Sequence, residues 1–222
     1  MDNENIFVTL PDVMKTSNYI DVDSYRIYED NDIGVGLDRR VLYLVGEING
    51  DMSNQNSSTT EMINVIQRYN LADEKNGIPV EKRKPIWISI ASEGGDIFGT
   101  WVLINAIKAS KTPIYTVNVN HAFSAASYVL AAGHKRFSLR GTSHLVHSGS
   151  VYFGGQKEVA ESAKKYTDKL DKKLQDWFIG ATKIDLKTFK AKAPKDWWLD
   201  DEDALKYGLI DQIVDNLNEV FY

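Results

Sequence analysis

Two short stretches of this 222-residue chain place reactive groups where a run of β-formers gives way to a helical pattern. In the first, Ser124 follows the run 113–119 and the residues Asn120-His121-Ala122-Phe123, and the chain continues as Ala125, Ala126 and Ser127. A hydroxyl at such a turn is exposed, and the N–H of the next residue, Ala125, points at the oxyanion formed when it attacks a carbonyl. Serine is also among the preferred residues for plain helix N-capping, so the position has a purely structural use as well. Ser127 offers the same hydroxyl one turn later, where a helix faces its packing. In the second stretch, Gly94-Gly95 follows the run 85–91 and puts two residues without Cβ where a helix begins. Their amides can face an incoming negative oxygen, although paired glycines also serve simply as a tight turn.

A serine nucleophile needs a base, and the chain has four histidines. His121 lies in the turn before Ser124, and His134 follows the small-residue helix beside Lys135 and Arg136. His144 and His147 are three apart in a strand-like run, which puts them on opposite faces and argues against a shared metal. His147, followed by Ser148-Gly149, is best placed at a strand end facing a turn; a hydrogen-bonded core role is the alternative. The chain has no Cys, which removes disulfides, thiolate metal cages and a cysteine nucleophile. No metal and no other cofactor is expected, and Gly-x-x-x-x-Gly-Lys-Ser/Thr, the phosphate loop, is absent.

The balance of 26 Lys plus Arg against 31 Asp plus Glu, net charge −5, disfavours a dedicated nucleic-acid binder. The basic run Glu81-Lys82-Arg83-Lys84-Pro85 reads as a solvated loop entering a strand. No segment reaches the ~18 consecutive apolar residues that cross a bilayer, and Met1 to Leu10 carries Asp2 and Glu4 where a secretory signal would carry Lys or Arg. No membrane partner and a cytoplasmic location are therefore expected.

The elements that must position these groups alternate. Residues 1–35 read as an irregular N-terminal arm and 36–222 as a single domain. Val41 to Val45 is a strand, 52–60 a polar loop, and Met62, Ile63, Val65, Ile66 and Tyr69 recur at helical spacing. Strand 85–91, turn 92–96, a helix bearing Ile97 to Ile107, strand 113–119 and the helix ending at Gly133 follow. Strand and helix alternating at this spacing predict βαβ units and a parallel sheet. Two short strands near 136–139 and 143–147 come next. A long amphipathic helix over 157–178 carries the stripe Ala160, Ala163, Tyr166, Leu170, Leu174, Trp177 and Phe178. That helix is long for one domain, so another subunit is expected to cover part of its stripe. Helices near 185–192 and 201–207 and a strand at 209–214 close the chain.

The ordered pieces Ser-Glu-Gly-Gly-Asp at 92–96, Ala-Phe-Ser-Ala-Ala-Ser-Tyr-Val-Leu-Ala-Ala-Gly at 122–133, Lys-Arg-Phe-Ser-Leu at 135–139, His-Leu-Val-His at 144–147 and Ala-Leu-Lys-Tyr-Gly-Leu-Ile-Asp at 204–211 resemble the Clp protease proteolytic subunit. The resemblance covers roughly residues 40–216. It implies an α/β fold, the Clp/crotonase-like spiral of βαβ units with a long handle helix. The implied activity is a serine endopeptidase of the ATP-dependent type, acting on polypeptides inside a ring-shaped oligomer.

By the same resemblance Ser124 is the nucleophile, standing seven positions before Ala131-Ala132-Gly133, and His147 the base. Asp196 falls at the family's third position, with Asp200, Asp201 and Asp203 close by as first-turn helix carboxylates. Gly95 and Ala125 supply the oxyanion amides, and Gly154-Gly155 lies in the strand that pairs with extended substrate. Implied partners are further copies of the chain, in heptameric rings stacked as a tetradecamer, and an AAA+ unfoldase. The sequence departs from the pattern at Glu93, where Pro is usual, at His121-Ala122-Phe123, where a Gly is missing, and in the N-terminal arm. Same-fold alternatives are a crotonase-like hydratase, a signal peptide peptidase, an inactive ring subunit and a maturation-type protease.

Overall fold

A computed structural model of the protein describes residues 40–50, 58–149 and 157–221. The N-terminal arm and the Gly154-Gly155 strand expected from the sequence lie outside the described residues. Strands β1 (Val41–Ile48), β2 (Ile86–Gly95), β3 (Ile114–Phe123), β4 (Lys135–Leu139) and β7 (Gln212–Val214) stand side by side in that order, all parallel. Strand β5 (Ser143–Val146) continues from β3 in parallel, and β6 (Trp197–Asp200) pairs antiparallel with β5. Helices α1 (Ser58–Lys75), α2 (Ile97–Ala109) and α3 (Ala125–Ala132) cover one face. Helix α4 (Lys157–Ala181), α5 (Leu186–Lys192), α6 (Asp201–Lys206) and α7 (Asn218–Phe221) complete the chain. This is the mostly parallel α/β architecture expected.

One face of the sheet is covered by helices and part of the other by a smaller aromatic layer, so its central strands read as near-continuous apolar runs, while Val45 on the edge strand β1 is exposed. Ile86, Ile88 and Ile90 are fully buried against the helices, together with Leu44, Ile104 and Leu130. The alternate residue, Trp87, faces the other way into an aromatic layer, with Tyr115 at 5.1 Å and Phe221 of α7 at 5.3 Å, both edge-on. Helix α3 is buried on every side, which explains its small-residue, uncharged composition, with the Ser127 hydroxyl bonded inside.

Several expected boundaries move; the closing strand, expected over 209–214, spans only Gln212–Val214. The segment 92–96 is not a tight turn: β2 runs through Gly95, and Asp96 caps α2 by accepting the Gly99 N–H at 2.9 Å. Strand β3 likewise continues to Phe123, because parallel pairing with β5 extends the ladder past the apolar run that marked it. Helix α1 begins at Ser58, inside the expected polar loop. In α4, Thr167, Leu174 and Phe178 are buried, but Val159 and Tyr166 are 61% and 56% exposed. Among the described residues, the first half of its stripe is only partly covered: Tyr166 is exposed and Ala160 and Ala163 are half-buried.

Candidate active site

Ser124 is the single residue between β3 and α3, and its backbone sits at φ 53°, ψ −122°. A side chain in that region costs about 1–3 kcal/mol unless the surroundings impose it. They do. Its N–H donates to Leu145 O at 2.8 Å, and the Ser127 N–H donates to Ser124 O at 3.0 Å. Gly94, at φ 92°, packs directly under the elbow: a Cβ there would stand 2.5 Å from Phe123 O and 2.7 Å from Ala125 N. At Gly95, φ 148°, a Cβ would strike the Ile48 carbonyl. Neither glycine is replaceable without moving backbone. Ser124 Oγ makes no capping bond to its helix, so the N-capping use of this serine is not the one its hydroxyl adopts.

What Ser124 Oγ meets is His147, whose Nε2 lies 2.6 Å away. The imidazole's other nitrogen, Nδ1, is 3.2 Å from Asp196 Oδ1. Three strand ends produce this convergence. Phe123 is in register with Leu145, and Val146 with Trp197, so the residues just beyond those pairs, Ser124, His147 and Asp196, fall together. The Ser148 N–H donates to Ala193 O at 3.1 Å and ties the two return segments. Asp196 itself holds a left-handed backbone at φ 51°, ψ 90°, between a 3₁₀ turn at Ala193–Lys195 and β6. With a proton on Nδ1 facing the carboxylate, Nε2 is free to accept the Ser124 hydroxyl proton.

The competing residues have other duties. Ser127 is fully buried and its hydroxyl donates to Ala122 O at 2.7 Å and Leu145 O at 3.0 Å, pinning the elbow from below. His144 is fully buried with Nε2 3.0 Å from Asn118 Nδ2; burial pushes its pKa down to about 4, so it stays neutral. His134 Nδ1 sits against the backbone of Ile114. Asp200 accepts the Asp203 N–H at 2.7 Å as the cap of α6, and Asp201 accepts the Gly141 N–H at 3.2 Å.

The sequence departures at Glu93 and at His121-Ala122-Phe123 lie together beside the site. His121 Nε2 is 3.4 Å from Glu93 Oε1, the His121 ring is 4.8 Å from that of Phe123, and Phe123 meets Trp198 edge-on at 5.1 Å. On the other side a cavity of about 120 Å³ opens beside Ser124, walled by Ile97, Thr100, Tyr128, Leu174, Phe189 and Asp171. Sequence reasoning missed this cavity, because its walls come from four helices. Burial, then the Asp171 charge, raise the Tyr128 phenol pKa; burial and the neighbouring Asp168 likewise raise that of Asp171 against Lys164. Among the described residues no group of three or more His, Asp or Glu could hold a metal ion, and no helix is long and apolar enough to cross a membrane.

A hydroxyl on a strained strand-to-helix elbow, in line with an imidazole and a carboxylate, is an arrangement suited to acyl transfer. The chain belongs to the Clp protease family, a family of peptidases, whose model matches residues 33–217. Among curated relatives, the chain is 28% identical over 184 residues to the ATP-dependent Clp protease proteolytic subunit 2 of Treponema pallidum (strain Nichols), covering 81% of this chain and 84% of that protein. It is 28% identical over 194 residues to the protein of the same name from Borreliella burgdorferi, covering 85% and 89%. It is 26% identical over 185 residues to the ATP-dependent Clp protease proteolytic subunit of Deinococcus radiodurans, covering 82% and 84%.

Proposed function

We propose that the chain is a serine endopeptidase subunit in which Ser124 is the nucleophile, His147 the general base and Asp196 the group that orients it. The observation that carries this reading is the unbroken contact line from Ser124 Oγ through both nitrogens of His147 to Asp196. In the forward step His147 Nε2 takes the hydroxyl proton as Oγ bonds to the peptide carbonyl carbon, and the Gly95 and Ala125 amides receive the oxyanion. Collapse breaks the C–N bond, with His147 returning the proton to the leaving amine. Water then repeats the sequence on the acyl-enzyme, releasing the new carboxyl end and Ser124.

The same reading takes the working unit to be a ring oligomer, two heptameric rings enclosing the sites, fed by an AAA+ unfoldase in the cytoplasm. Its support is the exposure of Val159 and Tyr166 in the first half of α4, and the names of the relatives, which are proteolytic subunits of ATP-dependent proteases. Labelling with a fluorophosphonate, read by intact mass, tests the chemistry: the native chain gains one adduct and the Ser124→Ala variant gains none. An adduct in that variant overturns the assignment. Native mass spectrometry tests the assembly, and a monomer or trimer as the sole species would remove the chamber.

A further inference from the structure

The cavity beside Ser124 carries a carboxylate for which the cleavage chemistry has no use. Along α4 the neighbouring acids are matched by lysines one turn earlier: Lys164 Nζ reaches Asp168 at 2.7 Å and Lys172 Nζ reaches Asp176 at 2.7 Å. Asp171 has Thr167 and Gln175 at those spacings, and among the described residues no hydrogen bond or ion pair reaches its carboxylate. The fold nonetheless turns it to the cavity wall and half-buries it. An acid held out of water without a partner costs free energy, and the cost is recovered when a cation arrives.

The cavity's other walls fit the rest of such a group. Ile97, Leu174 and Phe189 offer an apolar lining for a methylene stem, beside the Tyr128 ring, whose hydroxyl donates to His147 O at 3.4 Å. A carbonyl seated between Ser124 Oγ and the Gly95 and Ala125 amides presents its own residue's side chain to this opening. Resting on the peptidase reading above, we infer that this cavity takes the side chain on the acyl side of the cleaved bond, and that Asp171 selects lysine or arginine there.

The test uses the full-length chain and peptidyl diphenyl phosphonates that differ only in the side chain at the reacting residue: lysine-like, leucine-like and glutamate-like. Adduct formation at Ser124 is followed by intact mass. The native chain reacts with the lysine-like probe at least about tenfold faster than with the leucine-like one, as one charge-assisted contact implies. Asp171→Asn lowers that ratio at least about tenfold by loss on the lysine-like probe, since an amide keeps the shape without the charge. Asp171→Lys moves the preference to the glutamate-like probe. Equal rates in the native chain, or a lysine preference that survives Asp171→Asn, overturn the inference. A simple fluorophosphonate separates the two layers. If it labels native Ser124 while the lysine preference is missing, only the role of Asp171 falls. If it does not label Ser124, the serine-peptidase reading fails and this inference fails with it.

Discussion

Ser124 and Ser127 are three residues apart, as are His144 and His147, and within each pair the same side chain meets opposite fates. Ser124 and His147 face each other at a junction of strand ends, on a cavity. Ser127 and His144 sit fully buried behind them, hydrogen-bonded to backbone carbonyls and to Asn118 respectively. The hydroxyl and the imidazole are chemically equivalent in both places. What differs is what the group can still do: the Ser127 hydroxyl and the His144 Nε2 are held by fixed buried partners, whereas the outer pair has each other and an opening. The candidate site thus stands on buried residues of its own types, of which Ser127 pins the elbow in place.

That contrast can be broken most sharply at the hydroxyls. Ser124→Ala abolishes peptide hydrolysis and fluorophosphonate labelling, while Ser127→Ala keeps the label at Ser124, both read by mass and a fluorogenic peptide. Loss of labelling in both variants would erase the distinction. Next come the carboxylates. Asp196→Asn lowers kcat about 10³–10⁴-fold by disturbing the histidine tautomer, whereas Asp200→Asn leaves kcat near native and loosens only the α6 cap.

The imidazoles separate by pH. Burial holds the folded pKa of His144 at about 4, below the ~6.5 of an unfolded chain, so between these values the unfolded state binds the extra proton. Unfolding free energy therefore falls as pH drops from about 6.5 to about 4, by on the order of 3 kcal/mol from this group, and His144→Gln flattens that slope in urea titrations. A slope unchanged in His144→Gln would assign it elsewhere.

The smallest effects concern the elbow's backbone. Ser127→Ala costs about 1 kcal/mol of stability through its lost hydrogen bonds. Ser124→Gly gains about 1 kcal/mol, because glycine adopts φ 53° without the Cβ penalty. Denaturant midpoints measure both, and a destabilised Ser124→Gly would show that the elbow stores no strain.

Much of the architecture is legible from pattern. The runs 41–45, 85–91 and 113–119 appear as parallel strands, and α4 appears as one long helix, because two-sided burial and helical periodicity leave direct marks on composition. Strand ends are less visible. His121-Ala122-Phe123 and Glu93-Gly94-Gly95 look like turns in sequence yet complete β3 and β2, since their extended state is imposed by neighbours. Trp197–Asp200 gives no strand pattern at all, being held by four residues of β5.

From sequence alone the chain determined its reactive inventory: no thiol, four histidines, a serine at a strand-to-helix junction and paired glycines before another helix. Those follow from residue type and local conformational preference, which act over a few positions. Tertiary structure decided which hydroxyl and which imidazole meet, which of four nearby aspartates stands behind them, and that Asp171, 47 positions from Ser124 in the chain, walls the same cavity. Such meetings depend on strand register and helix packing between distant segments, and no property of a residue's own neighbours in sequence encodes that distance.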